Sequence, residues 1–196
     1  MNVNILGYIM IIFVIVISIK IYHESDMFQL KCIISDVDGE TYCVRERAKL
    51  ELAADKLAQV NNNMTKVVNH CKEKYPNKEN IRRLSTGYNP KKICETLPTS
   101  QYTAYSENKG EKLAFCLDTE KKNGKLIDNN TLTYVALHEL AHIATESVGH
   151  TDEFWENFKF LLIEANSINI YTPVDYKNKP ARYCGMDIKD NPYYDV

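Results

Sequence analysis

The chain of 196 residues has six cysteines but no Cys-x-x-Cys pair, so a zinc ribbon or a thioredoxin-like motif is not expected. It has no basic excess: the formal net charge is -2, whereas a general nucleic-acid binder carries a basic surplus or a basic face. No nucleic-acid partner is therefore expected. There is no internal repeat and no low-complexity tract. No charged side chain occurs from Met1 to Ile19, and Ile5 to Ile19 reads ILGYIMIIFVIVISI. As a helix, Met1 to Ile19 would rise about 28 Å, close to the roughly 30 Å hydrocarbon core of a bilayer. The basic start and small-residue cleavage pattern of a signal peptide are both missing, so the expectation is an uncleaved transmembrane anchor over residues 1–22. Lys20, Lys31, Arg45 and Arg47 follow the run and none precedes it, which favours a cytoplasmic location for the rest of the chain.

The length suits one compact domain plus an appendage, here residues 26–196. Apolar residues at 44% and charged residues at 26% are ordinary for a globular chain. A domain of this size can be stabilised by core burial, so the cysteines read as small buried thiols rather than disulfides. After a polar joint at His23 to Asp26, strand-like runs at 30–34 and 41–44 flank Asp38-Gly39, a hairpin-turn signal. Arg45 to Tyr75 reads as one long helix, because Leu50, Ala53, Leu57, Val60, Met64, Val67, Cys71 and Tyr75 recur at helical spacing, and Pro76 ends it. Residues 81–98 read as loop with short helical pieces. A second hairpin is expected around Asn108-Lys109-Gly110, followed by an exposed turn over 118–125. Asn129 or Asn130 can cap a helix running to about Val148, Gly149 can break it, and Thr151 can cap the next. Beyond Ile170, prolines and tyrosines suggest an extended tail laid over the domain. These elements predict an α+β fold.

Chemistry concentrates in His138-Glu139-Leu140-Ala141-His142. Positions four apart share a helix face, so His138 and His142 can present two imidazoles to one metal ion. Glu139 can reach a water beside that ion without ligating it. Zinc brings the pKa of such a water toward about 7, where a carboxylate can take its proton and produce a nucleophile. Two histidines and one glutamate in this order are what metal-assisted hydrolysis demands. A catalytic zinc usually has three protein ligands. His150, beyond the possible turn at Gly149, is the favoured third, with Glu146 and Glu164 as rivals. The alternative reading of these residues is a polar helix face with solvated histidines, which the flanking Val135, Leu137, Leu140 and Ile143 argue against.

The stretch HELAHIATESVGHTDEFWENFKFLL resembles the WLM-type and SprT-like zinc metallopeptidases, over roughly Leu132 to Leu162. In these, a HELxH helix is followed by a linker, a third His and a Phe-Trp-containing helix. More loosely, the chain from Asp38 onward, with TAYSENKGEK, PVDY, YCGM and NPYYD, resembles predicted membrane-anchored metallopeptidases of giant DNA viruses. The linker between His142 and His150 is longer than the roughly five residues of the shortest zincin patterns. The resemblance implies a zincin-like domain with a small antiparallel sheet, Zn2+ held by His138, His142 and His150, and Glu139 as base. It also implies an edge strand that pairs with an extended protein or peptide substrate, for which Tyr102, Thr103, Ala104, Tyr105 and Ser106 are the candidates. An oxyanion donor could come from Tyr105, Tyr176, Arg182 or Tyr183. Cys184 is a possible fourth, inhibitory ligand. The expected activity is zinc-dependent peptide-bond hydrolysis by a single-pass membrane protein, its domain cytoplasmic or virion-interior. The alternative is a structural or interaction protein of a virion membrane, in which zinc staples the fold with a fourth protein ligand.

Overall fold

The computed structural model describes residues 5–24, 30–121 and 124–195. Ser25 and Asp26 of the expected polar joint, and Lys122-Asn123 of the expected turn, lie outside the described residues. The first element, α1 (Ile5–Glu24), is apolar from Ile5 to Ile19, and Lys20 then interrupts it. That apolar part rises only about 22 Å, short of the roughly 30 Å needed. Among the described residues no helix is long and apolar enough to cross a membrane. The expected anchor over residues 1–22 is therefore corrected, and with it the expected single-pass topology and the side of a membrane assigned to the domain.

The first hairpin forms as the Asp38-Gly39 signal requires. Strands β1 (Leu30–Ile34) and β2 (Thr41–Arg45) pair antiparallel, with Cys32 opposite Cys43. Asp38 Oδ1 accepts from the Glu40 amide, and Gly39 takes φ +75°. Helix α2 (Leu50–Lys74) buries the anticipated stripe from Ala53 through Cys71. It starts five residues later than expected because Arg45 belongs to β2. The Arg45 guanidinium is buried and donates to Thr96 O at 2.6 Å, Thr96 Oγ1 at 2.8 Å and Lys121 O at 3.0 Å.

The stretch read as loop with short helical pieces takes in most of one such piece, α3 (Glu79–Gly87), and an unanticipated strand, β3 (Ile93–Glu95). With β4 (Ala104–Glu107) and β5 (Lys112–Phe115) they complete a five-stranded sheet in the order β1-β2-β3-β5-β4. The β2–β3 and β3–β5 pairs are parallel, the outer pairs antiparallel. The expected zincin-like domain with a small antiparallel sheet behind a transmembrane helix is thus corrected to its coarser part, an α+β fold with a mixed sheet. The physical reason is that α2 and α3 form a crossover, which delivers β3 parallel to β2 in the middle of the sheet. The segment expected as an exposed turn has Asp118 buried, bridged to Leu126 and bonded to Arg47 at 2.9 Å.

Helices α4 (Asn129–Ala144) and α5 (Asp152–Ser167) pack on each other and on α2, and α4 also meets α3 and β4. The tail carries a hairpin not anticipated from its composition, β6 (Ala181–Tyr183) with β7 (Met186–Ile188). Four of the cysteines expected as thiols are paired, Cys32 with Cys43 and Cys116 with Cys184; Cys71 and Cys94 stay outside disulfides. Sequence spacing hid these pairs because a hairpin register and a returning tail create them. Cys116 and Cys184 are 68 positions apart, so their bridge constrains a long loop of the unfolded chain. Replacing both by Ala should cost about 2–4 kcal/mol, lowering Tm by roughly 4–16 °C in thermal unfolding followed by circular dichroism. An unchanged Tm would show that the bridge contributes nothing to stability.

Candidate metal centre and its cleft

Helix α4 begins where Asp128 Oδ1 accepts from the Thr131 amide at 2.8 Å, one residue before the predicted cap. From Thr131 to Ala144 every residue is buried except His138 and His142. A helix covered on nearly all sides is core, and these two imidazoles mark its one uncovered strip. The helix ends at Ala144, earlier than expected. Thr145 Oγ1 donates back to Ala141 O at 2.7 Å and accepts from Asn157 Nδ2 at 3.0 Å, which anchors the point where the chain leaves the helix. Gly149, at φ +91°, supplies the left-handed step before His150. Thr151 then caps α5, its hydroxyl accepting from the Phe154 amide.

The three histidines meet. His138 Nε2 lies 3.2 Å from His142 Nε2 and 3.1 Å from His150 Nε2, and the ligating atoms of all three fall within 4.8 Å of one another. In a tetrahedron with Zn–N arms of about 2.0–2.1 Å the nitrogens are about 3.3–3.4 Å apart, so this spacing fits one ion between them. An all-imidazole set suits zinc or another late transition metal and not the oxygen-seeking calcium or magnesium. Fully buried Phe154 of α5 packs beneath the group, its ring centroid 4.8, 4.3 and 4.6 Å from those of His138, His142 and His150. Burial, with the neighbouring imidazoles adding to it, brings His138 down to about 3. Burial, His150 and Lys109 bring His142 down to about 4. Neutral imidazoles are the form that can ligate.

Glu139 is 4% exposed, and burial pushes its carboxyl up to about 8. The rival ligands are elsewhere. Exposed Glu146 pairs with Arg83, and Glu164 accepts from His70 at 2.8 Å, Lys74 at 2.9 Å and Tyr75 at 2.7 Å. Cys184 is held in its disulfide and has no thiolate to offer.

A cleft of about 1070 Å³ opens over the three histidines and Glu139. Residues Tyr102 to Ser106 line it, and the strand proper is Ala104–Glu107. It is indeed at the sheet edge. The Cys116 amide donates to Thr103 O at 2.8 Å. By the alternation of an antiparallel ladder, Tyr105 then bonds β5, while Ala104 and Ser106 turn their backbone N–H and C=O outward. Of the four oxyanion candidates, Tyr105 and Tyr183 line the cleft. The Tyr183 hydroxyl donates to Thr103 O at 3.1 Å. Tyr176 is in the core, donating to Thr131 Oγ1, and exposed Arg182 is bound to Glu120 and Asp187. The wall formed by Met186, Asp187 and Ile188 had no signal in the sequence, since the tail hairpin that carries it was not legible.

The fold and site define an α+β protein with a three-histidine cleft, and its relatives are viral. The chain belongs to the family of a protein described as "Uncharacterized protein R325" of Acanthamoeba polyphaga mimivirus, to which it is 31% identical over 161 residues, 80% of this chain and 81% of that one. It is also similar to "Uncharacterized protein 136R" of Invertebrate iridescent virus 6, 40% identical over 63 residues that cover 31% of this chain and 35% of the relative. "Uncharacterized protein 042R" of Invertebrate iridescent virus 3 is 34% identical over 85 residues, 42% of this chain and 50% of the relative. No family model and no solved structure matches.

Proposed function

We propose that this chain is a zinc-dependent peptidase that hydrolyses peptide bonds in protein substrates. One observation carries the reading: three imidazole nitrogens converge at metal-ligand spacing beside a buried carboxylate, in a cleft bordered by a sheet edge. The likeness of HELAHIATESVGHTDEFW to WLM-type and SprT-like metallopeptidases points the same way.

His138, His142 and His150 would hold the ion, leaving the cleft side of the site open to substrate. Zinc bound there supplies Lewis acidity, polarising a carbonyl and acidifying water. Ionised Glu139, a form that burial disfavours and a cation bound by the neighbouring imidazoles would favour, takes the proton of the attacking water and delivers it to the departing amine nitrogen as the C–N bond breaks. The outward N–H and C=O groups of Ala104 and Ser106 would pair with an extended substrate backbone, which recognises main chain and tolerates varied sequence. Of the candidates for the developing oxyanion, Tyr105 and Tyr183 are the two that line the cleft, and Tyr183 would have to release Thr103 O to donate there.

A purely structural zinc would be closed by a fourth protein ligand. Among the described residues the metal-binding group comprises three histidines, and the thiol named for the fourth position is oxidised to a disulfide. This favours the catalytic reading over a staple in a virion protein. The test is metal analysis with a proteolysis assay on the full chain. About one zinc per chain and casein hydrolysis that stops on chelation and returns with zinc are expected. A chain that binds no zinc would sink the proposal.

A further inference from the structure

Between His142 and His150 the chain leaves α4 and must return its third imidazole to the other two. This linker has little apolar anchorage: Val148 is 89% exposed, and a Cβ added at Gly149 would meet nothing. Its backbone is instead gripped from two sides. On the carbonyl side, Lys109 Nζ donates to His142 O (3.3 Å), Thr145 O (2.8 Å), Glu146 O (3.4 Å) and Ser147 O (3.1 Å). On the amide side, Glu153 accepts from Glu146 N (3.0 Å), Ser147 N (3.3 Å) and the Ser147 hydroxyl (3.0 Å). Arg83 joins the two by donating to Ala144 O at 2.8 Å and Glu153 at 2.9 Å.

A lysine at a helix C-terminus is ordinary, because it meets orphan carbonyls and the negative end of the helix dipole. Here two of the four carbonyls belong to Glu146 and Ser147, beyond the helix, and Glu153 holds the amides of the same two residues. Both backbone groups of each are thus occupied. Lys109 is itself fixed. It sits in the β4–β5 turn with φ +55°, between Asn108 at +47° and Gly110 at +106°. That turn is pressed on the ends of α3 and α4: a Cβ on Gly110 would be 2.5 Å from Gly87 O, and one on Gly87 would be 2.5 Å from Lys109 O and 2.7 Å from Ile143 Cγ2.

We propose that Lys109 and Glu153 are positioning residues that clamp the linker and so set His150 at the metal. The same turn closes the edge-strand hairpin, which ties the third ligand to the strand along the cleft. The proposal rests on the reading of the three histidines as a metal site.

The experiment is zinc competition titration of the full chain, with circular dichroism to confirm folding. Lys109→Met removes the ammonium and keeps the stem; Glu153→Ala frees the linker from the opposite side and serves if Lys109→Met fails to fold. Each should weaken zinc binding about 10- to 100-fold, the size seen when groups that orient ligands are lost. In a His150→Ala background Glu153→Ala should not weaken it further, since the backbone that Glu153 holds is the linker that leads to His150. A variant that binds zinc like the parent, or an equal loss from Glu153→Ala in the His150→Ala background, overturns the clamp while leaving the metal site intact. Undiminished zinc binding by His138→Ala would overturn both.

Discussion

Glu139→Gln is expected to bind zinc and fold like the parent while its peptide hydrolysis falls about 10²- to 10⁴-fold, the range that general acid–base catalysis supplies. The amide has nearly the shape of the carboxyl and still forms hydrogen bonds, but it cannot take a proton. Zinc should stay because Glu139 is not among the three imidazoles that could hold the ion. The fold should persist because burial already disfavours the charged form of Glu139, so a neutral amide in its position carries no new desolvation cost. Hydrolysis of casein by the variant at the parent rate, with zinc content equal, would remove Glu139 from the mechanism.

His138→Ala and His142→Ala should each lower the zinc content from about one per chain to background in metal analysis, and hydrolysis should disappear with it. His138 Nε2 lies within 3.2 Å of the Nε2 atoms of both partners, so its loss removes the nitrogen adjacent to each of the others. His150→Ala should weaken binding strongly without abolishing it, because the helical pair remains. Full zinc affinity in His150→Ala would exclude it as a ligand. Neither Glu146, paired with Arg83, nor Glu164, held by His70, Lys74 and Tyr75, is poised to take its place.

Several features were legible because they are local. The α2 stripe repeats at helical spacing, so Ala53, Leu57, Val60, Met64 and Val67 are buried on one side. Asp38-Gly39 and Asn108-Lys109-Gly110 announce turns that backbone sterics dictate. Thr151 caps α5 because its hydroxyl sits within reach of the Phe154 amide. Other features were misjudged where the controlling contact is distant. Strand β3 is three residues long and shows no period; it exists because β2 and β5 flank it. The boundary at Arg45 moved because its guanidinium is drawn into the interior by Thr96, some fifty positions on. The apolar N-terminal run promised a bilayer span, but within the described helix it covers only Ile5 to Ile19 before Lys20.

The amino-acid order alone puts His138 and His142 one turn apart on one helix face, with Glu139 beside the first, since that spacing is a property of the α-helix and needs no partner. It also determined that a break and a new cap follow, because Gly149 and Thr151 act on their immediate neighbours. Long-range packing was needed for His150 to return to the pair, for β4 to lie at a sheet edge, for Tyr183 rather than Tyr176 to reach the cleft, and for Cys116 to find Cys184. Each of these joins segments that no periodicity connects. The choice among them is made by the packing of α4 on α5 and by the path of the tail over the sheet, which are set by burial of the whole chain at once.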